Sequence, residues 1–235
     1  MVASWSKYAD KTNDNNLSPR KLFGPGLPMT KWRAAHPDGD PIKWQRIEVE
    51  GAWLLRFHGG PFLIDQFDNP HSHEVYGHGY QSVVGGYPAL AYMVSLTKAY
   101  KGGAEVQGDF TIFTIDTPHW VPRTAVRPRA VGDRFSHGYL GVKDLGDPEF
   151  DKLFHVQADD EGFARALLSP SAREMLKQSE LARHLGFVFE GTTLSTWNRG
   201  AASYKTWVDD YPSMMVDYLV RIIGSTPAEL WRGER

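Results

Sequence analysis

Near Pro148 the spacing of apolar residues changes from two to 3.6, and this switch constrains the fold of the 235-residue chain more than any other feature. Alternating segments bury one face of a sheet, and the amphipathic segments that follow bury one stripe of a helix, so the two must pack on each other. The expectation is an α+β fold, with a mainly antiparallel sheet, a helix pair and a C-terminal amphipathic helix. The strand-like runs are 46–49, 53–57, 75–84, 87–97, 110–115 and 139–142, rich in Val, Ile, Tyr, Phe and Trp and bounded by Gly and Pro. Gly85-Gly86 between two of them reads as a two-residue hairpin turn, because glycine reaches positive φ without a steric penalty.

After Pro148, Asp159 or Asp160 is placed to cap a helix that carries Phe163, Ala164, Leu167 and Leu168 on one face and ends before Pro170. Ser169-Pro170 opens a second helix, with Ser171 and Glu174 as a capping pair, Met175 and Leu176 inward and a stop at Gly186. Phe187-Val188-Phe189, Glu190-Gly191 and the run 192–197 read as another hairpin. The strongest helical stripe is Trp207, Tyr211, Met214, Met215, Tyr218, Leu219, Ile222 and Ile223, with Asp209-Asp210 at its start and Gly224 at its end. Thr226-Pro227-Ala228-Glu229 then has the form of a capping box.

Residues 1–45 are rich in Pro, Gly and Asn and form an irregular arm, with a short helix expected near 3–12; residues 46–235 form the single α+β domain. The arm's Trp5, Tyr8, Phe23, Trp32 and Trp44 are too many for a disordered tail, so the arm is expected to lie over the body. Exposed aromatic rings are also typical anchors of protein interfaces, and these five are the candidate interface residues. The alternative is that they fold back into the body.

Composition excludes several classes of function. With no cysteine there is no disulfide framework, thiolate metal site, iron–sulfur cluster or cysteine nucleophile. The 26 Lys and Arg against 28 Asp and Glu leave a net charge of -2, which gives no global pull toward nucleic acid or anionic membrane. No apolar run approaches the roughly 18 residues of a membrane span, and the first residues hold no signal-peptide core. The reading is a cytoplasmic protein with no membrane insertion.

The densest titratable cluster is His71, His73, Glu74 and His78, whose imidazoles and carboxylate have the chemistry to hold a divalent metal, with His119 or His137 as further ligands. On a straight strand, His71 and His73 share a face and His78 takes the other, so one ion requires a bend. The competing view is a polar loop running into a strand. His58-Gly59-Gly60-Pro61 has half of an oxyanion-hole signature, but no G-x-S-x-G nucleophile elbow exists. No phosphate-binding glycine pattern is present. Arg123, Arg127 and Arg129 could meet an anion or nucleic acid, although Pro122 and Pro128 suit a solvated loop. The Asp159-Asp160-Glu161 triple and Asp209-Asp210 are better read as helix caps, and Met214-Met215 as core.

The segment Gly146-Asp147-Pro148-Glu149-Phe150-Asp151-Lys152-Leu153-Phe154-His155-Val156, with Ala158-Asp159-Asp160, Phe163-Ala164-Arg165 and Leu167-Leu168-Ser169-Pro170, resembles the domain of unknown function 3137 family and its uncharacterised actinobacterial relatives. The resemblance extends through Phe187-Val188-Phe189-Glu190-Gly191 and back to the hairpin around 76–97, about half the chain. It implies a fold and no established activity or catalytic residues. Many members of that family carry membrane segments beside the domain, and this chain shows none. The functional expectation is a non-enzymatic module that binds another protein, with no cofactor. A His/carboxylate metal enzyme is the alternative, and an anion or nucleic-acid contact through the arginines is a third.

Overall fold

In the computed structural model, the residues described are 28–38, 42–48, 72–100, 103–129, 142, 144–199 and 211–231. The chain runs α1 (Pro28–Ala35), β1 (Gln45–Glu48), β2 (Ser72–Val84), β3 (Tyr87–Tyr100), β4 (Gly103–Pro128), α2 (Pro148–Leu153), β5 (Phe154–Ala158), α3 (Glu161–Leu167), α4 (Pro170–Gln178), β6 (Phe187–Arg199), α5 (Tyr211–Ser225) and a 3-10 turn at Ala228–Trp231. The strands form one antiparallel sheet in the order β1-β2-β3-β4-β5, with β6 also on β4. This is the α+β arrangement that the change of period implies. The expected strands 53–57 and 139–142 and the helix at 3–12 lie wholly or mostly outside the described residues.

The Gly85-Gly86 hairpin forms with φ of +59° and +87°, and it joins Val84 to its partner Tyr87. Ala89, Ile115 and Leu194 align across three strands, as do Ala91, Phe113 and Thr196, and these rows face the helices. α5 lies on them, with Met214, Met215, Leu219, Ile222 and Ile223 buried and Tyr211 edge-on to Phe113 at 5.4 Å.

Three helix starts are set by side chains that accept from the first free N–H groups. Asp147 accepts from Phe150 N at 3.0 Å, Asp160 from Phe163 N at 2.8 Å and Ser169 from Ala172 N at 3.3 Å. Ser169 caps α4 in place of the expected Ser171, because Pro170 takes the first helical position and leaves Ser171 inside the helix. α4 also ends at Gln178, well before Gly186; the Ser179 N–H closes it on the Met175 and Leu176 carbonyls. Thr226 likewise does not open a capping box. Its Oγ1 donates to Ile223 O at 2.6 Å and accepts from Trp231 Nε1 at 2.7 Å, which fastens the chain end to α5.

Two larger differences concern β4 and the arm. β4 continues to Pro128, so the segment holding Arg123 and Arg127 is strand and not loop. Thr124 and Val126 are buried between the half-buried arginines, a period of two that the two prolines masked in the sequence. Pro28–Ala35, inside the span expected to be irregular, is helical and sends Trp32 into the core.

Candidate functional site

β6 pairs with β4 along its length, yet it doubles back on itself. Ser195 Oγ donates to Val188 O at 3.4 Å and Thr196 Oγ1 to Gly186 O at 2.7 Å. Residues seven and ten apart on a straight strand would be separated by about 23 and 33 Å at the ordinary rise per residue. The bend sits at Gly191, whose φ is +61°; in place of the hairpin expected at Glu190-Gly191, β6 is one strand folded sharply there, with both halves paired to β4. β4 wraps around it: Asp116 pairs with Thr193 on one arm and Val121 with Gly191 at the tip.

The outer strand has the longer path around a shared bend, and β4 spends residues 117–120 there against Thr192 alone on β6. Thr117 Oγ1 donates to His119 O at 2.8 Å and pins this outer turn. Val121 returns to the core at 1% exposure, while Trp120 stands 71% exposed. Its indole Nε1 lies 3.7 Å from where a Cβ on Gly191 would sit, so the ring rests against the bend of β6. No reading of the sequence had singled out this tryptophan. The signal available was Thr-Pro-His-Trp between two strand-forming runs, a turn sequence that carries a large ring to its end.

On the sheet face away from α5, Gln45, Gln81, Leu90, Thr114 and Ser195 align across five neighbouring segments. The first four of these floor an open cavity of about 390 Å³ that Val83, 68% exposed, and Asp116 also line. Gln81 Nε2 donates to Gln45 Oε1 at 3.1 Å and Ser82 Oγ to Lys43 O at 2.8 Å, so part of this lining is already ordered. Asp116 is the last residue before the outer turn, which places the cavity and Trp120 at the same end of the sheet.

The residues expected to act are dispersed. Trp32 is 6% exposed and stacks on His36 at 4.2 Å, and Trp44 is half-buried with Nε1 donating to Ser213 Oγ at 2.9 Å. Both rings therefore fold back onto the body, the alternative left open by the sequence. Trp5, Tyr8 and Phe23 lie outside the described residues, as do His71 and His137. His73, Glu74 and His78 belong to β2, and a register shift between Val75 and Gly79 separates the first two from the third. His119 is exposed on the outer turn. Among the described residues, no group of three His, Asp or Glu side chains is placed to hold a metal ion. Arg123 and Arg127 share one face of β4, while Arg129, just past its end, is tied to the α2–β5 junction, its Nε donating to Asp151 O and Phe154 O at 2.7 and 2.9 Å.

A second polar cluster joins α2 to α4. Asp147 meets Lys177 Nζ at 3.1 Å and Arg173 Nε at 3.6 Å, and Lys177 also meets Glu174 at 3.1 Å. The Phe150 N–H, foremost, and the Lys177 ammonium hold the Asp147 carboxyl below the usual range. This cluster is a clamp between helices. The phenols of Tyr211 and Tyr218 are pushed well up by burial; Asn198 approaches the Tyr211 hydroxyl without closing a well-aligned hydrogen bond.

No protein-family model matches the chain. No curated protein matches it either, so the resemblance to the domain of unknown function 3137 family rests on the residues quoted for it. Among solved structures, the chain is similar to the crystal structure of the mycobacterial trehalose monomycolate transport factor A, TtfA, at 8% identity and a TM-score of 0.47, over 85% of this chain and 94% of that one. At that score the likeness carries no argument about function. Among the described residues, no helix is long and apolar enough to cross a membrane.

Proposed function

We propose that this chain is a non-enzymatic module that binds another protein, and that Trp120 is the centre of its docking surface. The supporting observation is a large ring left 71% exposed on a turn whose neighbours are fixed on both sides. A tryptophan carries roughly 150–250 Å² of contact area, and burying one in a partner needs little ordering when its turn is already pinned. Val83, exposed at the same end of the sheet, and the polar cavity beside Asp116 supply the mixed apolar and hydrogen-bonding surroundings of an interface centre.

The test is affinity capture from native lysate with the full chain and with Trp120→Ser, read by quantitative mass spectrometry. A central tryptophan costs about 2 kcal/mol or more when truncated, which is roughly thirtyfold in Kd. A protein held stoichiometrically by the parent and lost by the variant, with the melting temperature of the two unchanged, supports the proposal. Equal retention by both, or no stoichiometric partner, refutes it.

A further inference from the structure

The cavity on the sheet face away from α5 holds two hydroxyls that folding leaves unused. Thr114 and Thr193 are only 5% and 9% exposed, and both line the cavity. Among the described residues neither Oγ1 has a hydrogen-bond partner. Neither is sealed in the core, since the fully covered polar atoms without a partner lie elsewhere, so the remaining surface of each hydroxyl opens into the cavity. Buried polar groups of native proteins are nearly always bonded, and two accessible ones in one cavity are placed to meet a ligand. The carboxamides beside them are half used. Gln81 Nε2 donates to Gln45 Oε1 at 3.1 Å, which leaves the Gln45 amide N–H groups and the Gln81 carbonyl for a guest.

We propose that this cavity binds a neutral, polyhydroxylated small molecule, a sugar or cyclitol. Its volume of about 390 Å³ lies within the range of small-molecule pockets. Charge selects a neutral guest: among the described residues the lining holds one cation, Lys43, and one anion, Asp116, so an ion of either sign meets its own charge as well as its opposite. The polar groups select hydroxyls. A threonine hydroxyl both donates and accepts, the Gln45 amide donates, the Gln81 carbonyl accepts, and the Asp116 carboxylate has about four lone-pair sites. Donors and acceptors thus share one small space, and a hydroxyl is the group that answers both. An apolar guest would instead strip the two threonines of water without replacing it. Leu90 and Val83 supply apolar surface for the C–H face of a ring.

The cavity and the Trp120 surface are tested apart, because sugar binding is read without a protein partner and lysate capture without added sugar. Glucose, maltose and myo-inositol are titrated in turn into the full chain and followed by saturation-transfer difference NMR. Saturable binding of at least one of the three is expected. Thr114→Val and Thr193→Val each remove one hydroxyl while keeping the branched shape, and each weakens that binding about five- to tenfold. Because neither hydroxyl is bonded within the protein, both variants melt no lower than the parent. Absence of saturable binding by all three compounds overturns the proposal, and so does binding that is undiminished in both variants.

Discussion

Replacing Tyr218 with Phe removes one oxygen and nothing else, and it should make the protein more stable. In the folded chain the hydroxyl is buried on α5 with no hydrogen-bond partner, whereas in the unfolded chain it is hydrated. A buried hydroxyl without a partner costs about 1–3 kcal/mol. The ring itself is retained, with its edge-on contact to Phe187 at 6.5 Å, so apolar burial changes little. The oxygen leaves a small gap, which takes back part of the gain, and the net expectation is about 1 kcal/mol of added stability. For a chain of this length that is roughly 2–4 °C in Tm, and a higher urea midpoint at constant m-value. Ser213→Ala is the matched control: it also deletes a single buried hydroxyl oxygen, but one that accepts from Trp44 Nε1, so stability should fall by about 1 kcal/mol. Equilibrium urea unfolding of the parent and both variants compares the signs directly. A loss of more than about 0.5 kcal/mol with Tyr218→Phe would refute the reasoning, since it requires the hydroxyl to be bonded in the folded state.

Leu219→Ala, at a fully buried position where α5 meets the sheet, should cost about 2–5 kcal/mol, measured by the same unfolding experiment. Gly85→Ala should cost about 1–3 kcal/mol, because φ is +59° there and the new Cβ would lie 2.8 Å from Val220 Cγ1; a neutral result would mean that the hairpin and α5 are not in contact. Asp147→Asn should destabilise at neutral pH and progressively less in acid. The folded carboxyl has a lowered pKa, so its contribution is present above the ordinary aspartate value of 3.8 and is lost as pH falls through the folded one. Melting curves of parent and variant that stay a fixed distance apart from pH 7 to pH 2 would contradict the clamp.

Local rules were legible in the chain. The Gly85-Gly86 turn, the Asp160 cap and the stripe from Tyr211 to Ile223 each follow local spacing and stand where the sequence puts them, while Trp207 and Asp209-Asp210 lie outside the described residues. The hairpin expected at Glu190-Gly191 is instead a bend within one strand, because both arms find their hydrogen-bond partners on β4, which local sequence does not reveal. The second half of β4 was not legible either, since Pro122 and Pro128 break a local strand pattern; β5 and β6 on either side restore it by pairing. Ser171 was preferred to Ser169 because a capping box looks only at spacing, and the fixed φ of Pro170 decided otherwise.

The candidate surfaces divide along the same line. Sequence alone determines that the chain must pack strands against later helices, that no thiolate chemistry is open to it, and that α5 carries the widest apolar face. It also supplies the aromatic rings, but not their fates, because burial depends on which distant segments arrive beside them. Trp32 is covered because α1 meets α4 and α5, residues nearly 150 positions away along the chain. Trp120 is exposed because an outer strand must spend extra residues to pass around the bend of the inner one, a requirement that exists only once β4 and β6 are paired.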